Sequence, residues 1–393
     1  MAERVYLDWN ATAPLRPEAR AAVLAALDLV GNPSSVHGEG RAARRIIEQA
    51  RIAVATLVGA QPAGVIFTSG GTEANALALT PSIEVGGDKT RCDRLLISAI
   101  EHPSVRSAGR FPAEAVEEIA VTPAGVVDLP ALEQRLGALR ATGLRRPLVS
   151  LMHANNETGV VQPIAAAAAL VHAAGGIMHV DMVQSSGRIP CDIKALGADL
   201  ATLSAHKLGG PKGVGAVVLG ADVHIGDVLI RGGGQERGQR AGTENVAGIA
   251  GFGAAVQAAA SARVDEAAHM AVLRDRLETG LKAISPDAMV FGAGAERLCN
   301  TTLFAVPDVK AETALIALDL DGIAVSSGSA CSSGKVTPSH VLAAMGVEPG
   351  LARGAIRVSL GPATTENEIG AFLKAWTKLA KGLSKGRTRG LAA

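Results

Sequence analysis

The chain has 393 residues, with 38 basic and 37 acidic side chains, a net charge of +1, and a composition 48% hydrophobic and 19% charged. That is enough sequence for a large core with a smaller unit beside it. The near-neutral balance excludes attraction to nucleic acid or to an acidic membrane by bulk charge, and aromatics at 2% are too sparse for base-stacking platforms. The opening Met1-Ala2-Glu3-Arg4 meets charge at once, so no cleaved secretory leader is expected. The apolar run from Ile164 to Val171 ends at His172, far short of the ~20 residues that a membrane span needs. These features predict a cytoplasmic protein with neither a membrane partner nor direct nucleic-acid binding. Cys92, Cys191, Cys299 and Cys331 form no CxxC pair, so neither a metal site nor a disulfide framework is expected.

In chain order, short apolar runs alternate with helical stretches. The expected helices are Arg41–Val58, Thr72–Leu79 and Ile164–Ala174. The expected strands are Val65–Thr68, Leu95–Ser98, Leu148–Met152, Ile177–Asp181, Leu200–Ser204 and Val214–Leu219. This alternation predicts an α/β fold with a mostly parallel central sheet covered on both faces. A long helix over Glu244 to about Leu281 then changes the rhythm. Fewer strands (Ala288–Phe291, Thr301–Val306, Ile356–Ser359) and helices (Ala311–Leu320, Ser339–Met345, Glu366–Leu383) follow it. The reading is a large unit over residues 1–260, whose N-terminal segment crosses to the other, and a smaller α+β C-terminal unit over 261–393. The basic tail after Lys381 reads as a solvated terminus.

Ligands of such sheets bind beyond the carboxyl ends of the strands, and the chemistry there is rich. Ser69-Gly70-Gly71-Thr72 reads as a glycine turn into a helix, serving either as a plain N-cap or as a phosphate cradle. It matches neither GxGxxG nor the Walker pattern. Asp181 ends one strand, and Lys207 follows the end of another in Ser204-Ala205-His206-Lys207. The pair is either an ion pair across strand ends or a lysine suited to a Schiff base, with an acid to protonate a pyridine ring. Cys331 sits within Ser326-Ser327-Gly328-Ser329-Ala330-Cys331-Ser332-Ser333-Gly334, a composition suited to a mobile loop that carries a thiol to a substrate. Thr243 either caps the long helix or offers its hydroxyl to a phosphate. Arg357, within an apolar strand, needs an anion, from a substrate carboxylate or from a structural salt bridge.

Together these motifs resemble the NifS/IscS-like cysteine desulfurases, pyridoxal 5'-phosphate (PLP) enzymes of the class V aminotransferase group. The resemblance runs from Leu7-Asp8-Trp9-Asn10-Ala11-Thr12 to Ile356-Arg357-Val358-Ser359-Leu360-Gly361. It rests on SGGTEAN, EHPSV at 101–105, HANNETG at 153–159, HVDMVQS at 179–185, SAHKLGGPKG at 204–213, GGGQERGQRAGTEN at 232–245 and SSGSACSSG at 326–334. It implies the fold type I of PLP-dependent transferases and conversion of L-cysteine to L-alanine, with sulfur left as a persulfide on Cys331. By the same resemblance Lys207 would hold the cofactor, Asp181 would pair with its ring nitrogen and Gln184 with its ring hydroxyl. His102 would stack on the ring and shuttle a proton, and with Lys207 and Cys331 it would make up the catalytic set. Gly71, Thr72, Ser204 and His206 would hold the phosphate, with Thr243 contributed by the second subunit of a homodimer. Asn156 and Arg357 would bind the substrate carboxylate. An acceptor protein, such as an iron–sulfur scaffold, would take the sulfur for cluster assembly or other thiolation. Trp9 and Ala13 depart from the family pattern. A simple transaminase of this fold has no use for a nucleophilic thiol, and a non-catalytic scaffold has none for Lys207, Asp181 and Cys331 together.

Overall fold

The computed structural model describes residues 4–143, 146–328 and 338–390, with the side chains of 383–390 outside the description. Cys331 therefore lies outside the described residues. The central sheet has seven strands in the spatial order Val65–Thr68, Gly215–Leu219, Leu200–Ser204, Ile177–Asp181, Pro147–Met152, Arg94–Ser98 and Val116–Ile119. Every neighbouring pair is parallel except the two involving Gly215–Leu219, which runs against both its neighbours. The five inner strands from Gly215–Leu219 to Arg94–Ser98 are almost wholly buried, which is why they read as continuous apolar runs instead of alternating ones. One face packs on the helices Gly38–Leu57, Ile164–Ala173 and the first half of Val246–Ile284, through Ile47, Val54, Val171, Phe252 and Val256. The other packs on Gly71–Ala78 and Pro103–Arg106 through Leu77 and Val105.

A second sheet of four strands, Met289–Val290, Thr301–Ala305, Ile356–Ser359 and Ser326–Ser327, is antiparallel throughout. Its core includes Phe304 and Trp376, whose ring centroids are 5.1 Å apart in an edge-on arrangement. Val5–Tyr6 pairs in parallel with Ile323–Ala324, and Leu7 is buried in this core, so the N-terminal segment docks beside the C-terminal third. The helix Val246–Ile284 runs continuously through residue 260, where the sequence reading divides the chain. Among the described residues, no helix is long and apolar enough to cross a membrane.

Two helices, Pro17–Leu27 and Leu129–Ala141, and the edge strand Val116–Ile119 are additions to the sequence reading. The segment before the long helix is tied to the sheet by one internal ion pair. Glu236 accepts from Arg51 Nη1 at 2.7 Å and Nη2 at 2.9 Å, and from the Phe67 N–H at 2.9 Å. Both side chains are all but inaccessible. Such a pair adds little net stability by itself, yet removing either partner strands a buried charge at a cost of about 3–5 kcal/mol.

Candidate active site

The carboxyl ends of the parallel strands open onto a cavity of about 290 Å³. Ten of the residues singled out from the sequence line it: Gly71, Thr72, His102, Asn156, Asp181, Gln184, Ser204, His206, Lys207 and Arg357. Each arrives by a short route. Asp181 is the last residue of its strand, Ser204 ends the next, and a single 3-10 turn, Ala205–Lys207, then presents the lysine. Gly70, at φ +156, turns the chain from Val65–Thr68 into the helix that opens with Gly71 and Thr72. A Cβ on Gly71 would lie 3.1 Å from Val183 Cγ2, so glycine keeps this wall of the cavity open. Thr243 does not line the cavity in the single chain. It lies in a neighbouring one with Ser69, Arg240 and Glu244, and Arg240 holds Glu73 there at 2.9 Å.

The polar groups are fixed by a directed chain of hydrogen bonds. The Ser104 N–H donates to His102 Nδ1 at 3.2 Å, which makes Nδ1 an acceptor and leaves the proton of the neutral ring on Nε2. The Ser104 hydroxyl donates to the same nitrogen at 2.8 Å and accepts from Asn75 Nδ2 at 2.9 Å. Asn75 Nδ2 also donates to Asp181 Oδ2 at 2.9 Å, and Asn75 Oδ1 accepts from the Thr202 hydroxyl at 2.7 Å. Thr202 in turn accepts from His179 Nε2 at 3.3 Å, and His179 Nδ1 accepts from the Ser150 hydroxyl at 2.8 Å. One buried amide thus orients both the carboxylate at the cavity floor and, through Ser104, the imidazole. Burial lowers the His102 pKa; Asp181 opposes this, while Lys207 and His340 add to it.

Two other groups enter from distant parts of the chain. Lys207 Nζ donates to the carbonyl of Asn10 at 2.6 Å and to that of Ala11 at 2.9 Å. Arg357 donates from Nη1 to the Asn156 carbonyl at 2.9 Å and from Nη2 to Asp8 Oδ1 at 2.8 Å. The structural salt bridge anticipated for Arg357 is therefore present. Its Nε, however, is buried with no partner among the described residues. Asn75, Ser104, Asn10 and Thr202 are the residues that sequence reasoning missed. Asn75 and Asn10 stand inside the SGGTEAN and LDWNAT motifs, and that was their only signal.

The family pattern of class-V aminotransferases matches residues 5–372. The chain is 44% identical to the cysteine desulfurase of Cereibacter sphaeroides, over 95% of this chain and 94% of that one. It is 39% identical to the cysteine desulfurase IscS of Dictyoglomus turgidum, over 98% and 96%. The chain belongs to the cysteine desulfurases. Among solved structures, the NifS-like protein of Rickettsia africae superposes on it with a TM-score of 0.87 at 37% identity, over 96% of this chain and 100% of that one. This desulfurase is a PLP-dependent enzyme with the fold of the class-V aminotransferases. The chemistry of the cavity fits that cofactor. An amine, a buried carboxylate, an imidazole and a glycine turn face one space, and Arg357 brings a guanidinium to it.

The desulfurase also carries buried neutral histidines around this site. Burial pushes His153 and His179 from the ordinary 6.5 down to about 4. The unfolded chain protonates them near pH 6.5 and the folded chain only near 4. Their contribution to stability is therefore complete above about pH 6.5 and is lost as the pH falls towards 4. Two such groups give a slope of up to about 2.7 kcal/mol per pH unit within that window. A proton NMR titration should find both imidazoles still neutral at pH 5.5, and either one titrating near 6.5 would refute the assignment.

Proposed function

We propose that this desulfurase converts L-cysteine to L-alanine and leaves the sulfur as a persulfide on Cys331. Lys207 would hold the cofactor through its amine, Asp181 would serve its ring nitrogen, Gln184 its ring hydroxyl and His102 its ring. Gly71, Thr72, Ser204 and His206 would hold the phosphate, and Asn156 and Arg357 the substrate carboxylate. The observation that carries this reading is the convergence of Lys207, Asp181 and His102 on one cavity at the strand ends. Bound there, PLP supplies an electron sink for the bonds to the substrate's α-carbon. The Lys207 nitrogen would accept the substrate's α-proton. The Cys331 thiolate attacks the substrate sulfur; the new S–S bond forms as the Cβ–S bond breaks. The electron pair stays with the carbon, which is protonated, and alanine leaves.

The proposed working form is a cytoplasmic homodimer in which Thr243 reaches the partner's phosphate. Apolar side chains exposed on the single chain support this: Leu24, Leu27, Val30, Val36, Ile52, Leu229 and Ile230 lie on the first two helices, their connection and the segment that leads to Thr243. We further propose a large unit over residues 1–260 and a smaller one over 261–393, and delivery of the sulfur to an acceptor protein such as an iron–sulfur scaffold. The direct test is mass spectrometry after incubation with L-cysteine. The peptide containing Cys331 should gain the mass of one sulfur atom, and a reducing thiol should remove it. Sulfur found on another cysteine and absent from Cys331 would overturn the assignment.

A further inference from the structure

Arg188 has no role in the proposed chemistry, yet it touches two residues of the site. After the strand Ile177–Asp181 the chain winds into a turn, with the Ser186 N–H on the Met182 carbonyl and the Arg188 N–H on that of Ser185. The turn is tight because residue 187 is glycine, at φ +74, where a Cβ would fall 2.6 Å from Leu208 Cδ2. Residues 184 and 188 consequently share one side of the turn. Arg188 Nη1 donates to the Gln184 side-chain Oε1 at 2.8 Å and to the Gln184 carbonyl at 2.5 Å, and Nη2 to the Lys207 carbonyl at 3.4 Å. All three acceptors are uncharged, and among the described residues no carboxylate pairs with this guanidinium. Arg357 and Cys299 are the charged and titratable groups that act on it, Arg16, Lys207 and Glu266 line a second cavity with it, and burial draws its pKa down to about 10. The volume of that cavity is about 210 Å³.

We propose that Arg188 is a positioning residue that fixes which end of the Gln184 amide faces the cofactor. A guanidinium has donors only, so it is satisfied by the amide oxygen and repelled by the amide nitrogen. With Oε1 held by Arg188, Nε2 must point the other way. One of its hydrogens goes to the Asn10 carbonyl at 3.0 Å, which leaves the second for the cavity that Gln184 lines. Without Arg188 only the Asn10 carbonyl still favours this orientation, so the amide is freer to turn over and present an acceptor to the ring oxygen. The inference rests on the reading that Gln184 meets the ring hydroxyl. A donor there stabilises the ionised oxygen and lowers the pH at which the cofactor on Lys207 loses its shared proton.

The test follows the pH midpoint of the cofactor's visible absorbance in the purified holoenzyme, with circular dichroism as a check on folding. Arg188→Met should move the midpoint up by about one pH unit, the size expected for loss of a charge-assisted hydrogen bond. Arg188→Lys, which keeps a donor and the charge, should return most of the shift. Arg188→Gln, which no longer dictates the amide's orientation, replaces the methionine variant should that one not fold, with the same expected direction. Gln184→Met should raise the midpoint too, and adding Arg188→Met to it should change nothing further. If Gln184→Met shifts the midpoint and Arg188→Met does not, the inference falls while the reading of Gln184 stands. Equal shifts from Arg188→Met with and without Gln184 would mean that it acts by charge alone, which also overturns positioning. If Gln184→Met leaves the midpoint unmoved, both the reading and the inference fall.

Discussion

Replacing Cys331 by alanine should abolish alanine release from L-cysteine, a fall of at least about 1,000-fold, as when other enzymes lose a covalent nucleophile. The cofactor's absorbance should be unchanged, because no described residue of the cavity is altered. No other described thiol can take over. Cys92 is pushed up to about 12 and Cys191 to about 11, and burial raises Cys299 as well. At pH 7.5 a thiol of pKa about 11 is ionised in roughly one molecule in 3,000, and Cys191 is also closed to solvent. Product analysis of wild type and variant, with a thiol reductant present, decides the matter. Equal alanine from both would mean that the sulfur never visits Cys331.

Lys207→Ala should lose a further kind of chemistry. Proton transfer by a positioned base is worth about 100- to 10,000-fold, and the variant should fall by at least that much. It should also hold its cofactor loosely enough to be stripped by gel filtration. The complication is that Lys207 does structural work too, through the carbonyls of Asn10 and Ala11. Lys207→Arg separates the two roles. Arginine keeps the charge and the donors, but at neutral pH it neither accepts a proton nor forms the covalent link. Activity as low in the arginine variant as in the alanine one assigns the loss to chemistry; recovery with arginine would make Lys207 a strut.

The parts of this enzyme that were legible in the sequence are those where one local rule dominates. Ile177–Asp181 and Leu200–Ser204 are buried on both faces, so their apolar runs announced them to the residue, and Asp181 and Lys207 followed at the strand ends. Val116–Ile119 hid because an edge strand tolerates Glu117 and Glu118, which break the apolar run. Leu129–Ala141 carried readable signals that went unused: Asp128 capping Ala131 N–H at 3.0 Å, and a proline in its first turn. The support of the site was harder. Asn75, Ser104, Thr202 and Ser150 are small polar residues of common type, and only the packing of two short helices on the sheet places them in one line. Thr243 raises a different limit, since its expected partner belongs to another copy of the chain.

The docking of the N-terminal segment sets the order in which the enzyme can be assembled. Asn10, whose carbonyl receives Lys207, donates its own N–H to the Ser359 hydroxyl at 3.0 Å, across 349 residues of sequence. At about 5–20 residues per second, a ribosome needs roughly 20 to 70 s to bridge that interval. The central sheet, complete by Leu219, can close during the wait, while residues 5–11 have no partner strand to join. The sheet can therefore fold before the cofactor cavity is closed. A ribosome stalled before Ile323 should display a folded sheet whose N-terminal segment has no strand to join.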